Sequence, residues 1–353
     1  MFEIYRMRRQ LGETILQIPF KALYTPIKLD TIVNIMIDVR VQQIRYESDN
    51  IVSIQLYPIH SKLLPSFNSG AHIDVHLPNG KVRQYSLISP LQDRRYYEIG
   101  VLNDPKSKGG SRYIHQMLKV GDQLTISEPR NLFELDDTDQ KVLLFAGGIG
   151  ITPILSMWSS LAIDQRKCEL HYCTRQMTVP FLDRIDTFKI MNSDSQYMTY
   201  IGNKDSNGFN IVEILHHSAI NTHIYVCGSL GFIQYIEDTA LAMHWHKHFI
   251  HKECFKNSET ILELDSTEEH FLEIVSTGHK IPLQQTDNIA EVLNEAGYTV
   301  PMSCEQGICG TCTLHYIEGE LYHQDMILNE QEHMTLFTPC CSKIKSKKIV
   351  IDL

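Results

Sequence analysis

The sequence predicts a multidomain fold of three classes in series: an antiparallel β-barrel, a parallel-sheet α/β domain and a small β-grasp domain. Three observations carry this. From Met36 to about Asp137, short runs of alternating apolar and polar residues are broken by turn residues, the pattern of a small antiparallel barrel. From Gln140 the period changes, and Val142-Leu143-Leu144-Phe145-Ala146 is apolar without a break, as in a parallel strand buried on both faces. After residue 270 come two strands, a helix, a cysteine-rich loop and further strands, the order of a β-grasp domain. The expected boundaries are 1–35 for an extension, 36–137 for the barrel, 138–256 for the α/β domain, 257–269 for a linker and 270–353 for the last domain.

Residues 1–30 do not read as the start of a domain. Alternation becomes clear at Ile37-Asp38-Val39-Arg40-Val41, so either translation starts at Met36 or the chain carries a short extra arm. Barrel strands are expected at Val52–Leu56, His72–Leu77, Tyr96–Val101 and Gln123–Ile126, with a turn at Pro78-Asn79-Gly80. Lys108-Gly109-Gly110-Ser111 leads into a helix expected over Arg112–Lys119. In the α/β domain, Thr152 reads as an N-cap and Pro153 as the first residue of a helix over Ile154–Ala162. Strands are expected at Glu169–Cys173 and His223–Val226, with a helix from Gly231 to Met243. Asn257 to Glu269 is polar and acidic, as a linker is. Beyond it come strands at Phe271–Ser276 and up to Leu283, a helix Asn288–Ala296 with Gly297 after it, and strands Thr313–Glu318 and Lys348–Asp352.

The sharpest chemical signal is Cys304-Glu305-Gln306-Gly307-Ile308-Cys309-Gly310-Thr311-Cys312. Its C-x₄-C-x₂-C spacing is that of a plant-type [2Fe–2S] loop, with a fourth thiolate supplied from elsewhere. Three thiolates wrap one side of a cluster only if the backbone bends sharply, and Gly307 and Gly310 permit that. A zinc site would use two separated C-x₂-C knuckles, and only one is present. Spacing alone leaves both Cys340 and Cys341 open as the fourth ligand.

Two barrel features suit a phosphate-bearing aromatic cofactor. In Arg83-Gln84-Tyr85-Ser86 the guanidinium suits a phosphate, the Tyr85 ring an aromatic face and Ser86 a ring nitrogen or carbonyl. Gly109-Gly110-Ser111 offers backbone N–H groups to an anion, or is an ordinary capped turn. Together they read as one flavin site, FMN being preferred because the turn suits a terminal phosphate. Strand, glycine turn and helix at Gly147-Gly148-Ile149-Gly150-Ile151-Thr152-Pro153 is a dinucleotide context, although not G-x-G-x-x-G. Thr174-Arg175 at a strand end is placed for the adenosine half, and Arg175 for a 2′-phosphate if the nucleotide is NADPH. Cys227-Gly228 at another strand end puts a thiol where a nicotinamide lies, though such a cysteine also serves as a small buried hydrophobe.

His244, His246, His248 and His251 cluster locally, but no carboxylate accompanies them at a matching interval and Lys247 lies among them. They do not read as a metal site. The formal charge of −10 argues against non-specific nucleic-acid binding. No run reaches the roughly 18 apolar residues of a membrane span, and the first residues hold no secretory apolar region. Free thiolates that hold iron suit a reducing cytoplasm. Glu305, Glu318, Glu320 and Asp325 are candidates for an acidic docking face.

These motifs in this order resemble the phthalate dioxygenase reductase-type flavoproteins, from Met36 to Leu353. The resemblance rests on Arg83-x-Tyr85-Ser86, Gly109-Gly110-Ser111, the Gly147–Pro153 loop, Cys227-Gly228 and the four cysteines. Ser229 departs from a common proline and Lys108 from a usual arginine. The resemblance implies FMN on the barrel, NADH on the α/β domain and a cluster held by Cys304, Cys309, Cys312 and Cys340, with Cys341 a bystander. It implies Cys227 as the residue beside the reacting nicotinamide. It further implies hydride transfer from NADH to FMN, single-electron transfer to the cluster, and delivery to a terminal Rieske-type oxygenase. A redox-sensing binding protein using the same groups is the alternative from another class.

Overall fold

A computed structural model of the chain describes residues 35–105, 109–137, 141–202, 208–255 and 269–353. The expected extension except Ile35, Lys108, and the linker except Glu269 lie outside the described residues. Alternation in the first domain produces β1 (Met36–Ser48), β2 (Ile51–Pro58), β3 (His72–His76), β4 (Val82–Ser86), β5 (Tyr97–Leu102) and β6 (Gln123–Ser127). They form one antiparallel sheet in the order β4-β3-β6-β1-β2-β5. Its outer strands meet where Leu87 bridges Ile99 and Ile88 N donates to Glu98 O, so the sheet closes on itself. Val39, Val41, Ile54, Leu56 and Ile73 fill the interior, while Asp38 and Arg40 on either side of Val39 stay exposed. The register of β1 slips between Val41 and Gln43 and again between Tyr46 and Ser48; such bulges let one long strand curve around a small barrel.

Helix α1 (Gly110–Gln116) follows β5. It starts two residues before the expected Arg112, because Gly109 turns the chain at φ 104 and the helix opens immediately after it.

The second sheet is parallel, with β7 (Val142–Gly147), β8 (Cys168–Thr174), β9 (Gln196–Ile201), β10 (His223–Gly228) and β11 (Ile250–Cys254) in the order β11-β10-β7-β8-β9. Every residue of Val142–Ala146 is buried, as its unbroken apolar run predicts. Leu144 and Ala146 face one core with Trp158 of α2 (Ile151–Ile163); Leu143 and Phe145 face the other. Helices α3 (Leu182–Met191), α4 (Ile211–His216) and α5 (Leu230–Ala242) complete this region.

Helix α2 begins three residues before the expected Ile154. The Thr152 hydroxyl donates to Ile149 O at 3.0 Å instead of capping the helix. Pro153 is thus the third helical residue, still within the first turn, where its missing N–H leaves no ladder bond unmade.

The third sheet takes β12 (His270–Ile274), β13 (His279–Leu283), β14 (Leu314–Glu318), β16 (Leu336–Phe337) and β18 (Lys348–Ile351) in the order β13-β12-β18-β14-β16. A separate pair joins β15 (Leu321–Tyr322) to β17 (Lys343–Ile344). Helix α6 (Ile289–Glu295) buries Ile289, Ala290 and Leu293 in this core. Asn288 caps it by accepting from Ala290 N and Glu291 N, and Gly297 after it takes φ 89. The predicted series of antiparallel barrel, parallel α/β sheet and small sheet-rich C-terminal domain is thus the observed one.

Candidate functional site

The cysteine loop folds as its spacing demands. Gly307 and Gly310 take φ 67 and φ 72. A methyl on Gly307 would collide with Cys341 Sγ and lie 2.8 Å from Asp325 Cα, so only glycine passes this point. Cys304, Cys312 and Cys340 are buried and Cys309 is half-buried. The Cys340 thiol faces those of Cys304 and Cys312, and Cys304 also faces Cys309. Their mutual hydrogen bonds push Cys304 well down and Cys309 and Cys340 up. Four thiols so close cannot all be thiolates without a cation, and iron supplies one. Gln306 N donates to Cys304 Sγ at 3.4 Å, as the expected turn of N–H groups toward sulfur requires. Cys341 Sγ also faces the Cys340 thiol and lies 3.0 Å from Thr338 Oγ1.

The same loop is fastened to the barrel. Ser303 Oγ donates to Asp74 Oδ1 of β3 at 2.7 Å, and Arg130 Nη2 donates to the same oxygen at 2.7 Å. Burial alone would raise the Asp74 pKa, but these hydrogen bonds outweigh it and hold the carboxylate below its ordinary value. Beside it, Arg83 Nη1 pairs with Glu305 Oε1 at 3.3 Å. The candidate phosphate-binding arginine therefore already reaches the cluster loop.

Arg83 also runs across Gly110, where a Cβ would lie 2.7 Å from Arg83 Cγ. Gln84 and Tyr85 follow on β4, with the Tyr85 ring against the barrel core and its phenol pushed up by burial. The Ser86 hydroxyl is buried with no partner among the described residues, and so are both ring nitrogens of His72 at the paired position of β3. Burial and the nearby Arg130 push His72 down to about 4. Orphaned polar atoms on Ser86 and His72 fit an aromatic cofactor with polar edges. The Ser111 hydroxyl accepts from Asp104 N at 3.3 Å and so does not cap α1.

In the parallel sheet the chain runs outward from β7 to β9, then returns to β10 on the other side. The switch point lies beyond the carboxyl ends of β7 and β10, where open α/β sheets bind ligands. Gly147 and Gly150 meet Cys227 and Gly228 there. A methyl on Gly150 would collide with Cys227 O, and one on Gly228 would lie 3.2 Å from Gly147 Cα. Thr152 Cγ2 and Phe181 press on Gly100 of β5, leaving 2.7 Å and 3.0 Å for a Cβ there, so the glycine turn abuts the barrel. Arg184 pairs with Glu98, and Arg45 with Asp183 at 2.8 Å, across the same junction. Arg175 is exposed directly after β8.

Two expectations need correction. Cys227 stands at the tip of β10 but is wholly buried in the core, and burial pushes its thiol well up. It is a neutral, enclosed group here, not an open contact for a ligand. The four candidate docking carboxylates do not form one acidic face. Glu305 turns inward to Arg83, Glu318 pairs with Lys348, Glu320 pairs with Lys345, and Asp325 is enclosed against His333.

Sequence reasoning missed Glu253, paired with Cys227 across β10 and β11. Its Oε2 is buried without a partner, and burial raises its pKa to about 8. It also missed His72 and the Asp74–Ser303 bond. No spacing rule marks any of them, since each becomes notable only through a neighbour distant in the chain.

Residues 272–345 match the 2Fe-2S iron-sulfur cluster binding domain family and residues 144–238 the oxidoreductase NAD-binding domain family. The chain is 40% identical over 324 residues to vanillate O-demethylase oxidoreductase of Pseudomonas sp. (strain HR199 / DSM 7063), covering 90% of this chain and 100% of that protein. It is 31% identical to the carnitine monooxygenase reductase subunit of Escherichia coli (strain K12), covering 90% and 98%. Among solved structures, phthalate dioxygenase reductase aligns with a TM-score of 0.74 and 31% identity, over 90% of this chain and 98% of that one. With a flavin barrel, an NAD-binding domain and a [2Fe–2S] domain in the same order, the chain belongs to the phthalate dioxygenase reductase-type family of NADH-dependent iron–sulfur oxidoreductases.

Proposed function

We propose that this chain is the reductase component of a two-component oxygenase, delivering electrons from NADH to a terminal Rieske-type oxygenase. The observation that carries the reading is the bonding of the cluster loop to the flavin strands, Ser303 to Asp74 and Glu305 to Arg83. A flavin, when bound, accepts a hydride and releases electrons singly, which a nicotinamide cannot do. The chain's own part is positional. Cys304, Cys309, Cys312 and Cys340 would hold the cluster; Arg83, Gln84, Tyr85, Ser86, Gly109, Gly110 and Ser111 would hold FMN. Gly147, Gly148, Gly150, Thr152, Arg175 and Gly228 would receive the nucleotide, with 36–137, 138–256 and 270–353 as the three domains.

Purified protein is expected to contain flavin and two irons per chain, and NADH should bleach both chromophores and drive cytochrome c reduction. Absence of flavin, or cytochrome c turnover too slow to accompany oxygenase catalysis, overturns the proposal. The higher identity to the vanillate enzyme than to the carnitine enzyme favours an O-demethylating oxygenase as partner. Reconstitution with vanillate and carnitine oxygenase components, each assayed on its own substrate, tests that choice. The ratio of kcat/KM for NADH and NADPH tests the nucleotide.

A further inference from the structure

Away from the redox groups, the amino ends of β10 and β11 carry a set of side chains of the types that ligate metals. His223 begins β10, His251 is the second residue of β11, and Asp136 lies in the segment leading toward β7. The three ligand atoms converge. His223 Nδ1 lies 2.9 Å from His251 Nε2, and Asp136 Oδ2 lies 3.2 Å from the first and 3.5 Å from the second. Tetrahedral zinc with bonds of about 2.0–2.1 Å separates its ligand atoms by about 3.3–3.4 Å. The three observed edges bracket that value.

The set is held in place from outside. Asp136 N donates to Tyr225 Oη at 2.8 Å, and Arg166 Nη2 donates to Asp136 O at 3.0 Å. The Tyr225 ring stacks on His251, with centroids 4.4 Å apart and planes 9° apart. The two imidazoles are parallel within 8°, and the contact between their ring nitrogens is one that a metal would replace. Among the local histidines singled out in the sequence, only His251 belongs to this set; its partners are supplied by the fold from more distant positions.

We propose that Asp136, His223 and His251 form a binding site for zinc or a similar divalent transition metal, with water in the fourth position. The ion ties the crossover from the barrel to two strands of the parallel sheet. Cys227 is four residues further along β10, about 13 Å away at roughly 3.3 Å per residue, so the role is structural and separate from electron transfer.

The test uses full-length protein loaded with flavin and iron, so that the cluster cysteines are occupied. Zinc chloride is titrated in competition with a chromogenic chelator. Wild type is expected to take up one zinc per chain, with affinity at least tenfold weaker in His251→Gln and Asp136→Asn. Zinc should raise the melting temperature of wild type and not of His251→Gln, while NADH oxidation stays unchanged in both. His246→Ala/His248→Ala should bind zinc as wild type does. No zinc uptake by wild type, equal uptake by His251→Gln, or loss of uptake in His246→Ala/His248→Ala overturns the proposal. Flavin content and zinc-free melting temperature of each variant establish that it is folded.

Discussion

Gly307 shows how little freedom the cluster loop has. Its left-handed φ alone costs a non-glycine residue about 1–2 kcal/mol, and a methyl would also strike Cys341 and Asp325. Gly307→Ala is therefore expected to lose most of the iron and the visible cluster absorbance while keeping flavin, as read by iron analysis and absorption spectra of the same preparation. Glu253 offers a different test at the same scale. Burial lifts its pKa from 4.5 to about 8, so between those values the folded chain keeps a proton that the unfolded chain releases. The associated loss of stability grows as pH rises through that window and levels off above it. Glu253→Gln removes the titration but keeps the shape. Its melting temperature should match wild type near pH 4 and exceed it by several degrees at pH 9. A constant difference across pH would show that Glu253 does not titrate in this range.

At the scale of elements, the junction between β3, β4 and the cluster loop is the connection on which function rests. Ser303→Ala removes a hydrogen bond to a charged partner, worth about 1.5–3 kcal/mol, and frees the Asp74 carboxylate from the cluster loop while Arg130 still donates to it. Cytochrome c reduction, which draws on the cluster, is expected to fall about tenfold. Ferricyanide reduction, taken directly from the flavin, should stay within twofold; parallel steady-state assays of the two acceptors check this.

The elements themselves were legible wherever the signal was local. The alternation around Val39 and Val41, the apolar run of β7 and the cysteine spacing each express a period or turn within a few residues. Helix starts were displaced at Gly110 and Ile151, because glycine turns let the backbone enter a helix without the cap residues that mark a start. The Asp74–Ser303 bond spans 229 positions, and the Asp136–His223–His251 set joins three separate segments. Such contacts exist only once the sheets have formed, so no window of sequence contains them.

For the whole molecule, the formal charge of −10 suggested a partner steered by charge. Around the cluster the structure gives a different surface. The carboxylates there are individually paired, whereas Met326 and Ile327, each 39% exposed, and Met334, 75% exposed, lie on the segments flanking the loop. Ile327 Cδ1 is 3.0 Å from where a Gly310 Cβ would be, so this side chain covers the loop itself. Covering the rest of an isoleucine contributes on the order of 1 kcal/mol at about 25 cal/mol per Å², while paired surface charges contribute little and are screened by salt. An oxygenase that approaches the cluster here is expected to be held mainly by apolar contact. Ile327→Asp should then raise the KM for the oxygenase about tenfold and leave cytochrome c reduction by the isolated reductase within twofold of wild type. Turnover with the oxygenase should change less than threefold between 50 and 300 mM salt. A steep salt dependence together with an unaltered KM in Ile327→Asp would place the docking surface elsewhere and restore charge as its basis.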